Sequence, residues 1–452
     1  MRVLLISTYD LGRQPFGLAS PAAWLRREGF EVIVRDVSRD RFAFEDLTGT
    51  ALAAFYLPMH TATRLAVPLI DRIRVEHPDT TLCAYGLYAS LNDSLLRDHG
   101  VSIVLGPEAE EALVEVARAI EHRHIATSRH HIATSPHRQI ARLQFIPPDR
   151  SGLPDLARYA AVQMPDGSAR ITGATEASRG CKHRCRHCPI VPVYDGQFRV
   201  VPVDVAMADI DQQVAAGAQH VTFGDPDFFN GPKHARRVIE ALHERHPRLS
   251  YDVTIKIQHL LRHSDLLPIL SRTGCLFVTS AVESVDDEVL RRLDKNHTRD
   301  DFEEAVRLTR EARLVLAPTF VAFTPWTTLE SYRDLLETVE ELDLVEHVAP
   351  VQWALRLLIT QGSRLLELPE VQSLVQHFDP RSLTYRWRHE DPRVDALQQR
   401  LEAHVGTHIN RPRREVFEEV KHLAGADAHV RYDAPVLLAR AAIPYLNEPW
   451  YC

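Results

Sequence analysis

Three thiols fall within eight residues in Gly180-Cys181-Lys182-His183-Arg184-Cys185-Arg186-His187-Cys188-Pro189, a C-x3-C-x2-C spacing. A segment this short wraps one metal centre, and thiolates select soft metals and iron–sulfur clusters. Three cysteines leave one iron of a four-iron four-sulfur cluster without a protein ligand, so the spacing offers a coordination position to an exogenous molecule. The interleaved cations Lys182, His183, Arg184 and Arg186 are expected to favour the thiolate forms and to offset the negative charge of a cluster. A structural zinc site with His183 or His187 as fourth ligand is the competing reading, weakened because no second Cys/His pair follows at finger spacing.

Carboxylates and one lysine recur where apolar runs end. Thr222-Phe223-Gly224-Asp225-Pro226-Asp227 places Asp225 at the end of a strand, where a carboxylate can accept hydrogen bonds from an ammonium; an Asp-Pro turn is the plain alternative. Lys256, in Thr254-Ile255-Lys256-Ile257, either meets a carboxylate or faces solvent. Glu283 follows Val278-Thr279-Ser280-Ala281-Val282 and is either a ligand contact or a cap for a helix starting near Asp286.

In this order and spacing the motifs resemble the radical S-adenosylmethionine (SAM) superfamily over roughly residues 150 to 365. Phe320-Val321-Ala322-Phe323-Thr324-Pro325 and Trp353-Ala354-Leu355-Arg356 resemble the closing strands of that family. The resemblance implies a 4Fe-4S cluster on Cys181, Cys185 and Cys188, with the amino and carboxylate groups of SAM on the open iron. It places His187 near the adenine, Gly224-Asp225 where the family's Gly-Gly-Glu motif meets the SAM amino group, Glu283 at the ribose and Lys256 at the SAM carboxylate. The reaction implied is one-electron cleavage of SAM, the 5′-deoxyadenosyl radical then taking hydrogen from a small-molecule substrate. Electrons would come from a reductant such as flavodoxin or ferredoxin. Two alternatives stand beside it: transfer of a 3-amino-3-carboxypropyl group to a soft acceptor, and an iron–sulfur or zinc regulator without turnover.

These residues need a scaffold, and the 452-residue chain, 45% hydrophobic, is long enough for two or three domains. In residues 1–120 short apolar runs alternate with helical segments, which predicts an α/β, doubly wound, flavodoxin-like domain. Its first helix is expected to start at Ser20 and Pro21 and to close at Gly29, and Glu108, Glu110 and Glu111 to begin a later one. Residues 121–149 read as a His-rich linker with a repeated His-Ile-Ala-Thr-Ser. Six strands are expected in 150–365, a partial (β/α)6 barrel with its chemistry at the carboxyl strand ends, and residues 366–452 read as a mainly helical extension. A flavodoxin-like domain ahead of such a barrel resembles the cobalamin-binding subgroup, many of whose members transfer methyl groups. The loop Asp10-Leu11-Gly12-Arg13-Gln14-Pro15-Phe16-Gly17 lacks the histidine motif of some cobalamin domains. Bound cobalamin, a lost cobalamin site and a scaffold role therefore all stay open.

A net charge of −8 and a pI near 6.3 give no general drive toward nucleic acid. Six cysteines, three of them clustered, suit a reducing cytoplasm, and no apolar run is long enough to span a membrane. The ending Glu448-Pro449-Trp450-Tyr451-Cys452 resembles the CUAEP/CCAEP-tail radical SAM proteins, which continue with cysteine or selenocysteine. That resemblance implies a selenocysteine codon read as a stop, and it makes Cys452 a candidate hydrogen-atom donor or soft-metal ligand.

Overall fold

The computed structural model describes residues 1–122, 143–425 and 440–447. The histidine-rich repeat and Cys452 lie outside the described residues. The apolar runs of the N-terminal part form β1 (Arg2–Ser7), β2 (Glu31–Asp36), β3 (Thr50–Tyr56), β4 (Thr81–Tyr85) and β5 (Ile103–Val104). They pair in parallel in the order β2-β1-β3-β4-β5. Because side chains alternate across a strand, Val3 and Leu5 pack on one face with Leu18, Leu25 and Leu113, and Leu4 and Ile6 on the other with Ala66 and Ile70. Both faces are thus covered by helices, as a parallel sheet requires. The strand order reverses direction at β1 and β3, and a ligand crevice belongs beyond the carboxyl ends there.

The first helix begins at Phe16, four residues before the expected start, and runs to Arg27. Pro21 therefore sits inside it and cannot donate to the Gly17 carbonyl. The Tyr85 hydroxyl donates to that carbonyl instead, at 2.7 Å. Gly29 closes the helix at φ +85°, as expected.

The second part contains β6 (Ala161–Gln163), β7 (Ala169–Thr175), β8 (Ser178–Gly180), β9 (Phe198–Val200), β10 (His220–Phe223), β11 (Ser250–Thr254), β12 (Cys275–Glu283), β13 (Val315–Phe320), β14 (Val375–Asp379), β15 (Thr384–Trp387) and β16 (Tyr445–Leu446). Seven of them form one sheet in the order β13-β12-β11-β10-β7-β6-β16, parallel from β7 to β13. At one edge β6 runs antiparallel to β7, and β16 antiparallel to β6.

The sixth parallel strand expected at 348–356 is instead a 3-10 turn, Pro350–Trp353, with a single parallel bridge between Phe323 and Arg356. Pro350 lacks the N–H a ladder needs. The Gln352 side chain takes over, its Oε1 accepting from the Phe320 backbone at 2.7 Å. The extension is also less helical than expected: beside helices Pro392–His408 and Arg413–Leu423 it carries the hairpin β14–β15 and the edge strand β16. Among the described residues no helix is long and apolar enough to cross a membrane.

Candidate active site

The cysteine loop is an excursion between β8 and β9, two antiparallel strands set apart from the main sheet. It leaves β8 at Gly180, where φ is +77° and a Cβ would lie 2.5 Å from both the Gln197 carbonyl oxygen and the Tyr194 ring. Only glycine fits there. Gly180→Ala is therefore expected to cost about 1–3 kcal/mol, read from urea unfolding, and to loosen the loop enough to lower its iron content.

Past that point the loop is held from several sides. The Asn230 side chain donates to the Gly180 carbonyl at 3.3 Å and accepts from the Lys182 backbone at 3.1 Å. The Arg186 backbone donates to Leu293 at 2.9 Å, its guanidinium donates to the Arg292 carbonyl at 2.8 Å, and Ser363 Oγ donates to the Arg186 carbonyl at 3.2 Å. All three thiols are free, Cys185 buried and its neighbours half-buried. Burial pushes Cys181 up to about 11 and Cys188 up to about 12, the other thiols of the loop adding to the rise.

The expectation that the loop's own cations stabilise the thiolates is overturned by where those side chains go. Lys182 lies over the Phe198 ring, Arg184 pairs with Asp195 at the surface, Arg186 donates to carbonyls, and His183 is bonded to Asp227. The cation against a sulfur comes from just past β11, where Lys256 Nζ is buried 3.5 Å from Cys185 Sγ.

Three of the residues singled out in the sequence therefore meet around the loop. Lys256 touches Cys185, and His187 Nε2 lies 3.1 Å from Glu283 Oε1. Glu283 ends β12 at φ +72°, a strained conformation for a non-glycine residue, of the kind that collects at functional sites. Burial would raise its carboxyl, but the nearby Lys295, 3.3 Å away, and His187 outweigh burial and hold it at about 2. It is not merely the cap of the following helix, because Asp286 caps that helix through Glu288 and Val289.

Asp225 behaves differently. It is buried and both oxygens are engaged, Oδ2 accepting from the Ala177 backbone at 2.9 Å and Oδ1 from Ser178 Oγ at 2.5 Å, so it braces the start of β8. Burial pushes it up to about 7. Gly224 beside it is open, with Arg13 and Glu176 the nearest side chains to a Cβ built there.

Several residues here carried no signal in the sequence. Asp227 Oδ2 accepts from His183 Nε2 at 3.2 Å and lies 2.7 Å from His259 Nδ1. Burial raises its carboxyl, but the two imidazoles prevail and hold it at about 2. Lys295 and His297 follow Glu283 by 12 and 14 positions without any motif to mark them. His297 is buried with both ring nitrogens unpartnered, and burial, reinforced by Lys295 and Lys256, pushes it down to about 4. Glu110 opens its helix as expected, yet it also pairs with Arg179 of β8 at 2.8 Å, as Glu108 does with Arg199 of β9 at 2.9 Å.

The segment carrying this loop and the strands around it, 175–348, matches the model of the Radical SAM superfamily. Residues 175–348 form a radical SAM domain. The chain is similar to the hopanoid C-2 methylase of Rhodopseudomonas palustris, with 22% identity over 282 residues, 57% of this chain and 52% of that protein. It is similar as well to the tRNA-2-methylthio-N(6)-dimethylallyladenosine synthase of Thermus thermophilus, with 25% identity over 272 residues, 57% of this chain and 51% of that protein. The chain thus spans about half the length of these curated relatives.

Among solved structures, the fold of this chain is similar to that of OxsB, a cobalamin-dependent SAM radical enzyme with aqua-cobalamin and SAM bound (TM-score 0.68, 13% identity, 90% of this chain and 67% of that chain). It is also similar to the radical SAM methyltransferase TsrM of Kitasatospora setae, with cobalamin and a [4Fe-4S] cluster bound (TM-score 0.59, 19% identity, 76% of this chain and 73% of that chain). Both likenesses extend beyond the radical SAM domain into the rest of the fold.

Proposed function

We propose that this chain is a radical SAM enzyme that uses cobalamin to transfer a methyl group to a small molecule. The observation that carries the reading is the braced loop presenting Cys181, Cys185 and Cys188 at the carboxyl ends of the parallel strands, with Lys256 against Cys185. The donor set fits a cluster: three soft ligands from one loop, one fewer than a closed site needs. When bound, such a cluster leaves one iron to SAM and supplies the electron that breaks its sulfonium bond.

The residues of the chain position and shield. His187, Glu283 and Lys256 are the side chains proposed to face SAM, with Lys295 holding the Glu283 carboxylate in place. Gly224 keeps the backbone open beside them, and Asp225 supports it by fixing the start of β8. The burial of Glu283, Lys256 and His297 keeps water from the reacting centre.

Cobalamin is assigned to the cleft between the two sheets, at the switch point of the five-stranded sheet. Its lining includes Phe16, Tyr56, Tyr194, Gly224 and Pro226, and among the described residues it holds no histidine, so the chain would bind cobalamin without a histidine ligand there. The names of both curated relatives, a methylase and a methylthio-group synthase, favour methyl chemistry over aminocarboxypropyl transfer. The electron donor is assigned to the class of flavodoxin or ferredoxin.

Anaerobic reconstitution with iron and sulfide, then dithionite and SAM, with and without hydroxocobalamin, tests this. Formation of 5′-deoxyadenosine or of S-adenosylhomocysteine, and cobalamin that co-elutes with the protein, are expected. A reduced four-iron cluster that leaves SAM intact would overturn the enzymatic reading. Methylthioadenosine as the main product would turn it toward aminocarboxypropyl transfer, and failure to retain cobalamin would remove the cofactor from it.

A further inference from the structure

Inside the parallel sheet is a cavity of about 110 Å³, room for several water molecules. Thr254, Thr279 and Thr319, from the adjacent strands β11, β12 and β13, form part of its wall. Three arginines line it too, each from a different part of the chain. Arg13 comes from the loop after β1 and reaches the barrel mouth, its Nη1 being 3.7 Å from a Cβ built on Gly224. Arg413 opens the helix Arg413–Leu423; it is buried, donates to the Glu346 carbonyl at 2.7 Å and lies over the Tyr445 ring. Arg440 stands just ahead of β16, also against Tyr445, and donates to the Ile409 carbonyl.

Among the described residues none of the three has a carboxylate within ion-pair distance, and the Nε atoms of Arg13 and Arg440 are buried without a hydrogen-bond partner. The acid in the same wall, Asp252, is already engaged by His220 at 2.8 Å and Thr222 at 2.6 Å. Asp10, near Arg13, is pushed up to about 7 by burial, so it is about half ionised at neutral pH and balances only part of that charge. Arg413 is buried and Arg13 and Arg440 are half-buried, with Glu346 acting on Arg413 only from beyond ion-pair distance. Guanidiniums so weakly countered are costly to bury, and their planar donor pairs match carboxylate and phosphate oxygens.

We propose that this cavity is the substrate site, and that Arg13, Arg413 and Arg440 bind an anionic group of the substrate, a phosphate monoester or a carboxylate. The proposal rests on the enzymatic reading above and names its substrate class. Arg13 joins the two halves of that reading, because one side chain borders both the anion cavity and the backbone of Gly224.

Calorimetry on the full reconstituted chain, with methyl phosphate in one arm and propionate in the other, tests it. Saturable binding of at least one anion is expected, weakened about tenfold or more by Arg13→Gln and by Arg440→Gln. Arg236→Gln, at an exposed helix position paired only with Glu240, should leave it unchanged. Arg413→Lys, which keeps the charge but not the paired donors, should weaken it less than Arg413→Gln. Methyl phosphate binding alone identifies a phosphate monoester, and propionate binding alone a carboxylate. No heat from either anion in a chain that still cleaves SAM would overturn this proposal alone, as would binding undiminished in both Arg13→Gln and Arg440→Gln. Anion binding in a chain that does not cleave SAM would sink the radical chemistry and leave the anion site standing.

Discussion

Replacing Cys185 by serine is expected to cut iron in the reconstituted protein from about four atoms per chain to below one and to lower SAM cleavage by on the order of 10³-fold. Cys185 is the central cysteine of the loop, buried, and the one whose sulfur meets Lys256 at 3.5 Å. A serine oxygen is harder and less readily ionised than a thiol, so the change removes a ligand with little loss of volume. The fold should survive, because the loop is pinned by Asn230, Ser363 and the Leu293 carbonyl, none of which uses the Cys185 sulfur. Circular dichroism and the elution volume should therefore match the parent chain. Cys83→Ser and Cys275→Ser are the matched controls, since both thiols are buried in sheet interiors and should keep full iron content if the fold holds. Four irons retained by Cys185→Ser would show that the cluster sits elsewhere.

The second large effect is expected at the joint between the two sheets. Arg150 donates twice to Asp209, at 2.7 and 2.8 Å, and its guanidinium also reaches Gln14 Oε1 at 2.8 Å and the Ala174 carbonyl at 2.6 Å. Asp209 is almost fully buried and accepts in addition from Thr175 Oγ1 at 2.7 Å and Gln213 at 3.2 Å. Arg150 follows the linker, Gln14 belongs to the N-terminal loop, and Asp209 to the helix Val203–Ala215 that packs on β7. Asp209→Asn leaves a buried guanidinium without its counter-charge, which costs about 3–5 kcal/mol. Urea unfolding should show the loss as a lower midpoint. Adding Arg150→Met should recover part of it, because no unpaired charge is then left inside. If the double variant is as unstable as the two single losses summed, the pair is not acting as a coupled unit.

The cysteine triplet was legible because it is local: three thiols proposed to serve one centre lie on one short loop, and their spacing survives in the linear chain. The parallel strands were legible for a similar reason, since a strand buried on both faces needs a continuous apolar run. The start of the first helix was not, because Pro21 breaks a helix unless something satisfies the Gly17 carbonyl, and that partner is Tyr85, 68 positions away. The strand expected at 348–356 was lost in the same way, its edge hydrogen bond supplied by the Gln352 side chain in place of a ladder.

Around the site the division follows the same line. From the sequence alone come the proposed metal-ligand set, the radical SAM resemblance, and the choice of His187, Lys256 and Glu283 as residues near the loop. Tertiary structure alone decided that Lys256 and not the loop's own cations meets a sulfur, that Asp225 braces β8, that Lys295 and His297 belong to the site, and that three arginines share one cavity. Those decisions depend on which side chains from distant strands come within a few ångströms, and on which polar groups are left buried without a partner.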